Sequence, residues 1–368
     1  MRTLVISDLH IGASPGADVL AHPAALGALL ARLDGVDRLV LLGDTLELRH
    51  GPARHALGHA EPIMRAIGDA LAPGSEIVLV PGNHDHAIAA GWLDWRGRRD
   101  EPEPHPLEER VGAEKASWIA KRLTGFLAPA TVDVAYPGLW LRDDVYATHG
   151  HYLDAHVAIP TLERLAAGLM ARMVGAIPDP ATPDDYEAVL APIYALSQAS
   201  AQRGGNGRVA IGSRSAVGTW QALAGTGRAR RLRAQALSVP FRLGVGLANR
   251  AGLGPVQPQV GVEDLRSAGL LAMSEVARRL RVAPAHLLFG HTHRTGRLPD
   301  DDLREWRTPA GTQLHNTGNW VFSTTFMTRG PRPDGPYWPG GAIVLDDDGP
   351  PHLERLLDHV PASSLRAR

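Results

Sequence analysis

Residues 76–85 read Glu-Ile-Val-Leu-Val-Pro-Gly-Asn-His-Asp, an apolar run that ends in a short polar motif. Such a run is typical of a β-strand. Asn83, His84 and Asp85 would then lie at the carboxyl end of that strand, the sheet edge where ligands bind in open α/β folds. The stretch predicts an α/β fold with a polar site at one edge of a sheet.

Four other apolar runs end in the same way. The predicted strands are Thr3–Ser7, Arg38–Leu42, Asp144–Thr148 and His286–Phe289. The motifs that follow them are Asp8-Leu9-His10, Gly43-Asp44, His149-Gly150-His151 and Gly290-His291-Thr292-His293. Carboxylate, imidazole and carboxamide groups gathered on one edge form a mixed nitrogen and oxygen site for divalent metal ions.

The candidate ligands can be apportioned on chemical grounds. Asp8 and His10 are alternate residues, so an extended backbone would send both side chains toward one ion. Asp44 can bridge two ions because a carboxylate has two oxygens, and Asn83 offers a neutral oxygen. Imidazoles come from His149, His291 and His293. Sites that hold two such ions act on phosphate esters.

Composition narrows the function classes. The 368-residue chain has a net charge of −1 and no cysteine. It therefore has no global attraction for polyanions, and disulfides, thiolate metal sites and cysteine nucleophiles are excluded. The sequence shows no signal-peptide pattern and no apolar stretch of about 18 residues. We expect a cytoplasmic protein, with peripheral contact to a membrane as an alternative.

Four regions follow from the patterning. Residues 1–154 alternate strand-like and helix-like segments and form the first part of the core, which residues 283–360 complete. Residues 155–282 separate the last two motifs and form a mainly helical insertion. From Arg203 to Arg250 this insertion carries nine arginines and no acidic residue. Residues 361–368 are expected to be a frayed tail.

The remaining predicted elements follow from periodicity. Core helices are predicted at Pro23–Leu33, Pro62–Leu71 and Ala113–Leu127. Insertion helices are predicted at Thr161–Val174, Asp184–Gln202, Ser215–Leu223 and Val262–Leu280. Late strands are predicted at Gln313–His315, Trp320–Thr325 and Ala342–Asp346.

The five motifs, in this order and each behind a strand, resemble the calcineurin-like metallophosphoesterase superfamily. The resemblance implies an α/β fold of four layers, α/β/β/α, with two mixed sheets flanked by helices and the insertion as a cap. It also implies a two-metal centre in which a metal-bridging hydroxide attacks phosphorus. One metal would be held by Asp8, His10, Asp44 and His293, and the other by Asp44, Asn83, His149 and His291. Manganese is the expected metal, with iron or zinc as alternatives.

The resemblance also assigns catalytic roles beside the metals. His84 would stand near the scissile ester oxygen, where it stabilises the transition state or protonates the leaving group. Asp85 would orient His84, since a carboxylate partner fixes an imidazole tautomer.

Gly43-Asp44-Thr45-Leu46-Glu47 and His291-Thr292-His293-Arg294 further resemble the branch of UDP-2,3-diacylglucosamine pyrophosphohydrolases. That branch has Arg in place of His84 and Asp in place of His151, so its substrate does not carry over. We expect a phosphodiester or pyrophosphate substrate, which could be lipid-linked. Alternatives are a cyclic-nucleotide phosphodiesterase, a protein phosphatase, a nuclease, or a metal-binding interaction scaffold of the same fold.

The arginine-rich block has three interpretations: a solvated surface, a face for anionic lipid or a lipid-linked substrate, and a nucleic-acid site. Arginine beside Trp220 and Phe241 suits an interfacial segment, whereas aromatic residues that would stack on bases are sparse. Contact with an anionic membrane is therefore favoured over nucleic acid.

Several polar residues near the motifs are given minor roles. His151 is expected to support the site or contact substrate, and Asp154 to be structural. The turn at residues 316–320 is expected to support the site. Six other histidines are expected to be solvated: His22, His50, His55, His59, His86 and His105.

Overall fold

The computed structural model of the chain describes residues 1–13, 17–100, 103–157, 162–203, 262–323, 327 and 332–366. The strands are β1 Thr3–Ile6, β2 Arg38–Leu42, β3 Glu76–Val80, β4 Glu108–Gly112, β5 Thr131–Arg142, β6 Val145–Thr148, β7 His286–Phe289, β8 Thr295–Gly296, β9 Gln313–Thr317, β10 Gly341–Leu345 and β11 His352–Arg355. The helices are α1 Pro23–Arg32, α2 Ala53–Ala70, α3 Ala87–Gly97, α4 Ala113–Ala116, α5 Trp118–Phe126, α6 Leu162–Val174, α7 Pro183–Arg203 and α8 Val262–Arg279. Short 3-10 helices cover Val19–Ala21, His151–Ala155 and Ala362–Ser364.

The strands form two mixed sheets that share β5. The first sheet has the order β11-β10-β1-β2-β3-β5, with β4 antiparallel to β5. Its β1, β2, β3 and β5 are parallel. The second half of β5 then pairs with β6, and the order continues β6-β7-β9-β8. Since β6, β7 and β9 are parallel to one another too, the strands that precede the polar motifs run parallel within each sheet.

Three apolar layers hold the sheets and helices together. Val5, Val40 and Leu288 belong to the layer in which side chains of the two sheets meet. On the outer face of the first sheet, Leu4 and Ile6 pack with α1 to α5. The outer face of the second sheet packs with the 3-10 helix at His151–Ala155 and with α6, α7 and α8. The predicted four-layer α/β/β/α fold is confirmed, and the strands read as continuous apolar runs because both of their faces are buried.

Several predicted boundaries differ from the structure. The helix expected at Pro62–Leu71 begins earlier, at Ala53. The helix expected at Ala113–Leu127 is interrupted at Ser117, whose hydroxyl accepts a hydrogen bond from the Ala120 N–H and caps α5. In the described part of Trp320–Thr325, Val321 makes only an isolated bridge with Asp18.

The sequence patterning missed β4, β5, β8, β11 and α3. The expectation of a frayed C-terminus is wrong for Leu365, which is buried in the layer between the first sheet and helices α1 to α5. Most of the arginine-rich block and the helix predicted at Ser215–Leu223 lie outside the described residues. The proposed domain limits at residues 154 and 282 stay a prediction. No described helix combines the length and apolarity needed to cross a bilayer.

Candidate metal centre

The ends of β1, β2, β6 and β7 bring six of the predicted ligands together. Three overlapping groups form, and within each group the candidate ligand atoms lie within 4.8 Å of one another. The groups are Asp8, His10 and His293; His10, Asp44 and His84; and Asp44, His149 and His291. Asn83, the seventh predicted ligand, lies beside the third group. The structure thus gathers all seven predicted ligands, whose roles in metal binding stay a prediction.

The first group has donor atoms that suit a cation. His293 Nε2 lies 3.3 Å from Asp8 Oδ1, and His10 Nε2 lies 3.1 Å from His293 Nε2. Among the described residues, Asp8 Oδ1 is fully buried and accepts no hydrogen bond. A buried carboxylate oxygen costs free energy unless it is paired or coordinates a metal. Two facing imidazole nitrogens and an orphaned oxygen therefore fit one divalent ion.

Asp44 connects this group to the next. Its Oδ2 lies 3.5 Å from His10 Nε2 and 3.4 Å from His149 Nε2. His149 Nε2 is also 3.3 Å from Asn83 Oδ1. One carboxylate oxygen between two imidazoles is the arrangement expected of a carboxylate that bridges two ions, so the residues present fit a two-metal centre.

The backbone is strained where the candidate ligands sit. In the described part of the chain, six non-glycine residues have positive φ, and five of them are candidate ligands. These are Asp8 (55°), His10 (45°), Asp44 (51°), His291 (65°) and His293 (57°). Residues other than glycine adopt this region at a cost and cluster in it at functional sites. The expectation of an extended backbone at Asp8 and His10 is wrong, although both side chains still reach one group.

Two glycines are required by close packing around the carboxylates. A Cβ at Gly82 would lie 2.3 Å from Asp44 Oδ1, and one at Gly290 would lie 2.5 Å from Asp8 Oδ2. Such contacts are too short for any side chain. The two glycines of these motifs therefore let adjoining turns approach the candidate ligands.

Asp85 does not orient His84, so that prediction is wrong. Its carboxylate instead accepts backbone N–H groups of Gly82 and Thr45, each at 2.7 Å, and of Asp44 and Leu46, each at 3.2 Å. Burial and the nearby Asp44 carboxylate raise the pKa of Asp85 to about 6. The side chain at the end of β3 thus fixes the loop after β2 through its amides.

Glu47 takes the role that was assigned to Asp85. Its Oε2 lies 2.8 Å from His84 Nδ1 and 3.1 Å from His10 Nδ1. Glu47 is 3% exposed. Burial opposes its charge, but the two imidazoles outweigh burial and hold the pKa of Glu47 well below its usual range. A carboxylate three residues after Asp44 in the same motif was the signal that could have identified it.

The pKa values of three imidazoles of the centre are shifted, two upward and one downward. Burial opposes charge on His149, but the Asp44 carboxylate outweighs it and raises the pKa to about 10. Burial is likewise outweighed at His10, where Glu47 and Asp44 raise the pKa to about 9. At His84 burial outweighs the Glu47 carboxylate and lowers the pKa to about 4, and the Arg49 guanidinium acts in the same direction as burial.

Further residues hold the last two histidines. Asp154 Oδ1 lies 2.8 Å from His291 Nε2, which leaves the other ring nitrogen for a metal. Asn316 Nδ2 donates to the Gly290 carbonyl at 3.0 Å. Asn319 Nδ2 donates to the His293 carbonyl at 2.7 Å. The turn that contains both asparagines supports the site, as the sequence predicted.

Two histidines that were expected to be solvated are covered. His86 Nε2 lies 2.9 Å from Glu187 of α7, and the His86 side chain is 12% exposed. His105 is 4% exposed. His151 belongs to none of the three groups in the described chain, and its Nε2 lies 3.1 Å from the Tyr136 hydroxyl. The insertion therefore reaches the core beside the candidate metal centre.

Comparisons with known proteins match the chain to one family model and to solved structures at low sequence identity. A family model described as calcineurin-like phosphoesterase matches residues 1–173. The chain is similar to a dimetal phosphatase from Danio rerio at 12% identity, with 95% of this chain and 93% of that chain covered and a TM-score of 0.34. It is also similar to a cold-active protein-tyrosine phosphatase of a psychrophile Shewanella sp. at 14% identity, with 94% and 75% covered and a TM-score of 0.27. At these identities and TM-scores the likeness to the solved structures is too weak to indicate a function. No curated protein matches the chain significantly.

Proposed function

Residues 1–173 of this chain belong to the calcineurin-like phosphoesterase family, so the protein is a metal-dependent phosphoester hydrolase, and we propose that it cleaves a phosphodiester or a pyrophosphate. When bound, two divalent cations would lower the pKa of a water molecule and offset the charge of the phosphoryl oxygens. Asp8, His10, Asp44 and His293 would hold one cation, and Asp44, Asn83, His149 and His291 the other. Manganese is our first choice, and iron or zinc would accept the same ligands.

The position of His84 is the observation that carries the proposal. Its Nδ1 is held by Glu47 at 2.8 Å, and its ring centroid lies 4.6 Å from that of His10. No described residue hydrogen-bonds to its Nε2, and the side chain is 17% exposed, more than Glu47 or Asp44. The Nε2 atom of His84 can give a proton to the ester oxygen that leaves when the ring is protonated, a state that the negative charge of a bound phosphate favours. A leaving alkoxide or sugar oxygen needs that proton, as in cleavage of an unactivated phosphodiester.

The insertion supports an amphiphilic substrate. Five large apolar side chains are at least half exposed on its described helices: Leu169, Met173, Val174, Leu196 and Leu271. Exposed apolar side chains in an insertion whose sequence also carries an arginine-rich segment suit a lipid-linked phosphate substrate and peripheral contact with an anionic membrane. We propose both for this chain.

A substrate panel tests the reaction. With Mn²⁺, turnover of phosphodiesters or nucleotide pyrophosphates should exceed turnover of phosphomonoesters, and Asp44→Asn should abolish it. Preferential cleavage of monoesters by the parent would contradict the proposed substrate class. Absence of any turnover in the parent with bound metal would contradict hydrolysis and favour the scaffold reading.

Liposomes test the membrane contact separately. Replacing Arg228, Arg230, Arg231 and Arg233 with Ala should weaken binding to anionic liposomes, with little change for a small diester. The parent's liposome binding should also fade at high salt, because exposed charges are screened. Unchanged binding by the quadruple variant would leave this arginine block as a solvated surface.

A further inference from the structure

Helix α7 presents Glu187 and Tyr194 to the core from one face. Residues seven apart lie two turns along the same side of an α-helix. Tyr194 is 2% exposed and the Glu187 side chain is 15% exposed. Both residues therefore point away from solvent, toward the sheet edge that carries the candidate metal centre.

Glu187 fixes α7 at this edge. Its Oε1 accepts hydrogen bonds from the hydroxyls of Tyr136 at 2.6 Å and Tyr152 at 2.8 Å, and its Oε2 lies 2.9 Å from His86 Nε2. The three partners belong to β5, to the 3-10 helix at His151–Ala155 and to the turn after His84. Charge-assisted hydrogen bonds to three separate segments leave the helix little freedom.

Tyr194 lies near two polar side chains, Arg49 and His151, and each of the three has one buried atom without a hydrogen-bond partner among the described residues. The Arg49 guanidinium carbon is 5.4 Å from the Tyr194 ring centroid, and the His151 ring is 5.6 Å away. Among the described residues, buried Arg49 Nε, His151 Nδ1 and Tyr194 Oη make no hydrogen bond. Each such atom costs free energy if it stays unsatisfied. Three such atoms on neighbouring side chains indicate a binding site for a polar ligand.

The side chains around this binding site favour an anion as the ligand. Arg49 Nη2 donates to the Asn83 carbonyl at 2.8 Å, which ties the guanidinium to the candidate metal centre. No ion pair joins Arg49 to a carboxylate of the described chain. Burial, with the Asp154 and Glu187 carboxylates, raises the pKa of Tyr194 well above its usual range, so the phenol stays protonated and can donate. A guanidinium and a phenol hydroxyl on neighbouring side chains are donors that suit phosphate oxygens, and the guanidinium is cationic.

We propose that Tyr194 is a substrate-binding residue, whose hydroxyl donates to phosphate oxygens of the substrate together with the Arg49 guanidinium. The insertion then completes the active site with a side chain of its own, and Glu187 positions that side chain. The inference rests on the proposed function, because it takes the substrate to be a phosphate compound.

Orthophosphate is the probe, because it carries the same oxygens and needs no turnover. Its affinity for the Mn²⁺-loaded protein is measured by calorimetry for the parent, Tyr194→Phe and Tyr186→Phe. Tyr186 is the matched control: it is buried on α7, and its hydroxyl already has a partner in His156 at 2.8 Å. Removing one hydrogen bond to a charged group should weaken orthophosphate about tenfold in Tyr194→Phe. The affinity of Tyr186→Phe should stay at the parent's value.

Parent-like orthophosphate affinity in Tyr194→Phe would overturn the proposal, as would loss of bound metal in that variant. If Tyr194→Phe does not fold, Arg49→Gln tests the same pair of donors from the core, and parent-like affinity there would overturn it equally. Diester turnover is recorded in parallel. A parent that binds metal and orthophosphate without turnover would refute the hydrolysis but not the role of Tyr194.

Discussion

Replacing Glu47 with Gln isolates the carboxylate that the sequence patterning missed. Glu47 Oε2 serves His84 and His10, while its Oε1 accepts the Arg49 backbone N–H at 2.9 Å. A glutamine has one acceptor oxygen, so it cannot serve both sides, and it loses the negative charge. A hydrogen bond to a charged group contributes about 1.5–3 kcal/mol. If Glu47→Gln removes that stabilisation from His84 in the transition state, kcat should fall about 10- to 150-fold.

The assay is turnover of bis-p-nitrophenyl phosphate at saturating Mn²⁺, so that weaker metal binding through His10 does not limit the rate. Glu61→Gln is the control, because it makes the same chemical change in an exposed surface pair with Arg65. Surface pairs contribute little, so the control should keep the parent's kcat. A Glu47→Gln variant with kcat within about twofold of the parent would refute the reasoning that Glu47 positions His84.

Three further changes test separate parts of the account. His84→Ala should keep both metals and lose on the order of 10²–10⁴ in rate, less for substrates with good leaving groups; loss of metal would instead make His84 a ligand. Asp85→Asn should lower the free energy of unfolding in urea by about 2–4 kcal/mol, because backbone N–H groups lose their acceptor; parent-like stability would contradict the loop-fixing role. Burial, with His286 and Arg297, lowers the pKa of His315 to about 3 from its ordinary 6.5. The unfolded state then binds more protons between these values, so stability should fall as pH falls below about 6.5. His315→Gln should flatten that dependence between pH 7 and 4.5, and equal slopes in parent and variant would contradict it.

The sequence predicted the sheet edge well because its signals are local. Each candidate ligand directly follows an apolar run, and parallel strands bring their carboxyl ends to one edge without further information. Asp8 and His291 could thus be placed together although they are far apart in the chain. The strained backbone at these residues was not predictable, since it depends on how adjoining turns pack.

The wrong predictions concern hydrogen-bond partners, which depend on how distant parts of the chain pack in the folded state. Asp85 was matched to its sequence neighbour His84, but its carboxylate turns to the amides of another loop. Glu47 lies on that other loop and reaches His84 from there. For α7, periodicity could show that Glu187 and Tyr194 share a face, but not which part of the core that face meets.

Metal content is the most direct test of a centre that holds two ions through a shared Asp44. After loading with Mn²⁺ and removal of free metal, elemental analysis of the parent should find two ions per chain. Asp44→Asn should lower occupancy of both sites and abolish diester turnover, because Asp44 Oδ2 lies beside His10 Nε2 at 3.5 Å and His149 Nε2 at 3.4 Å. An Asp44→Asn variant that kept two ions per chain and a near-normal rate would contradict the account.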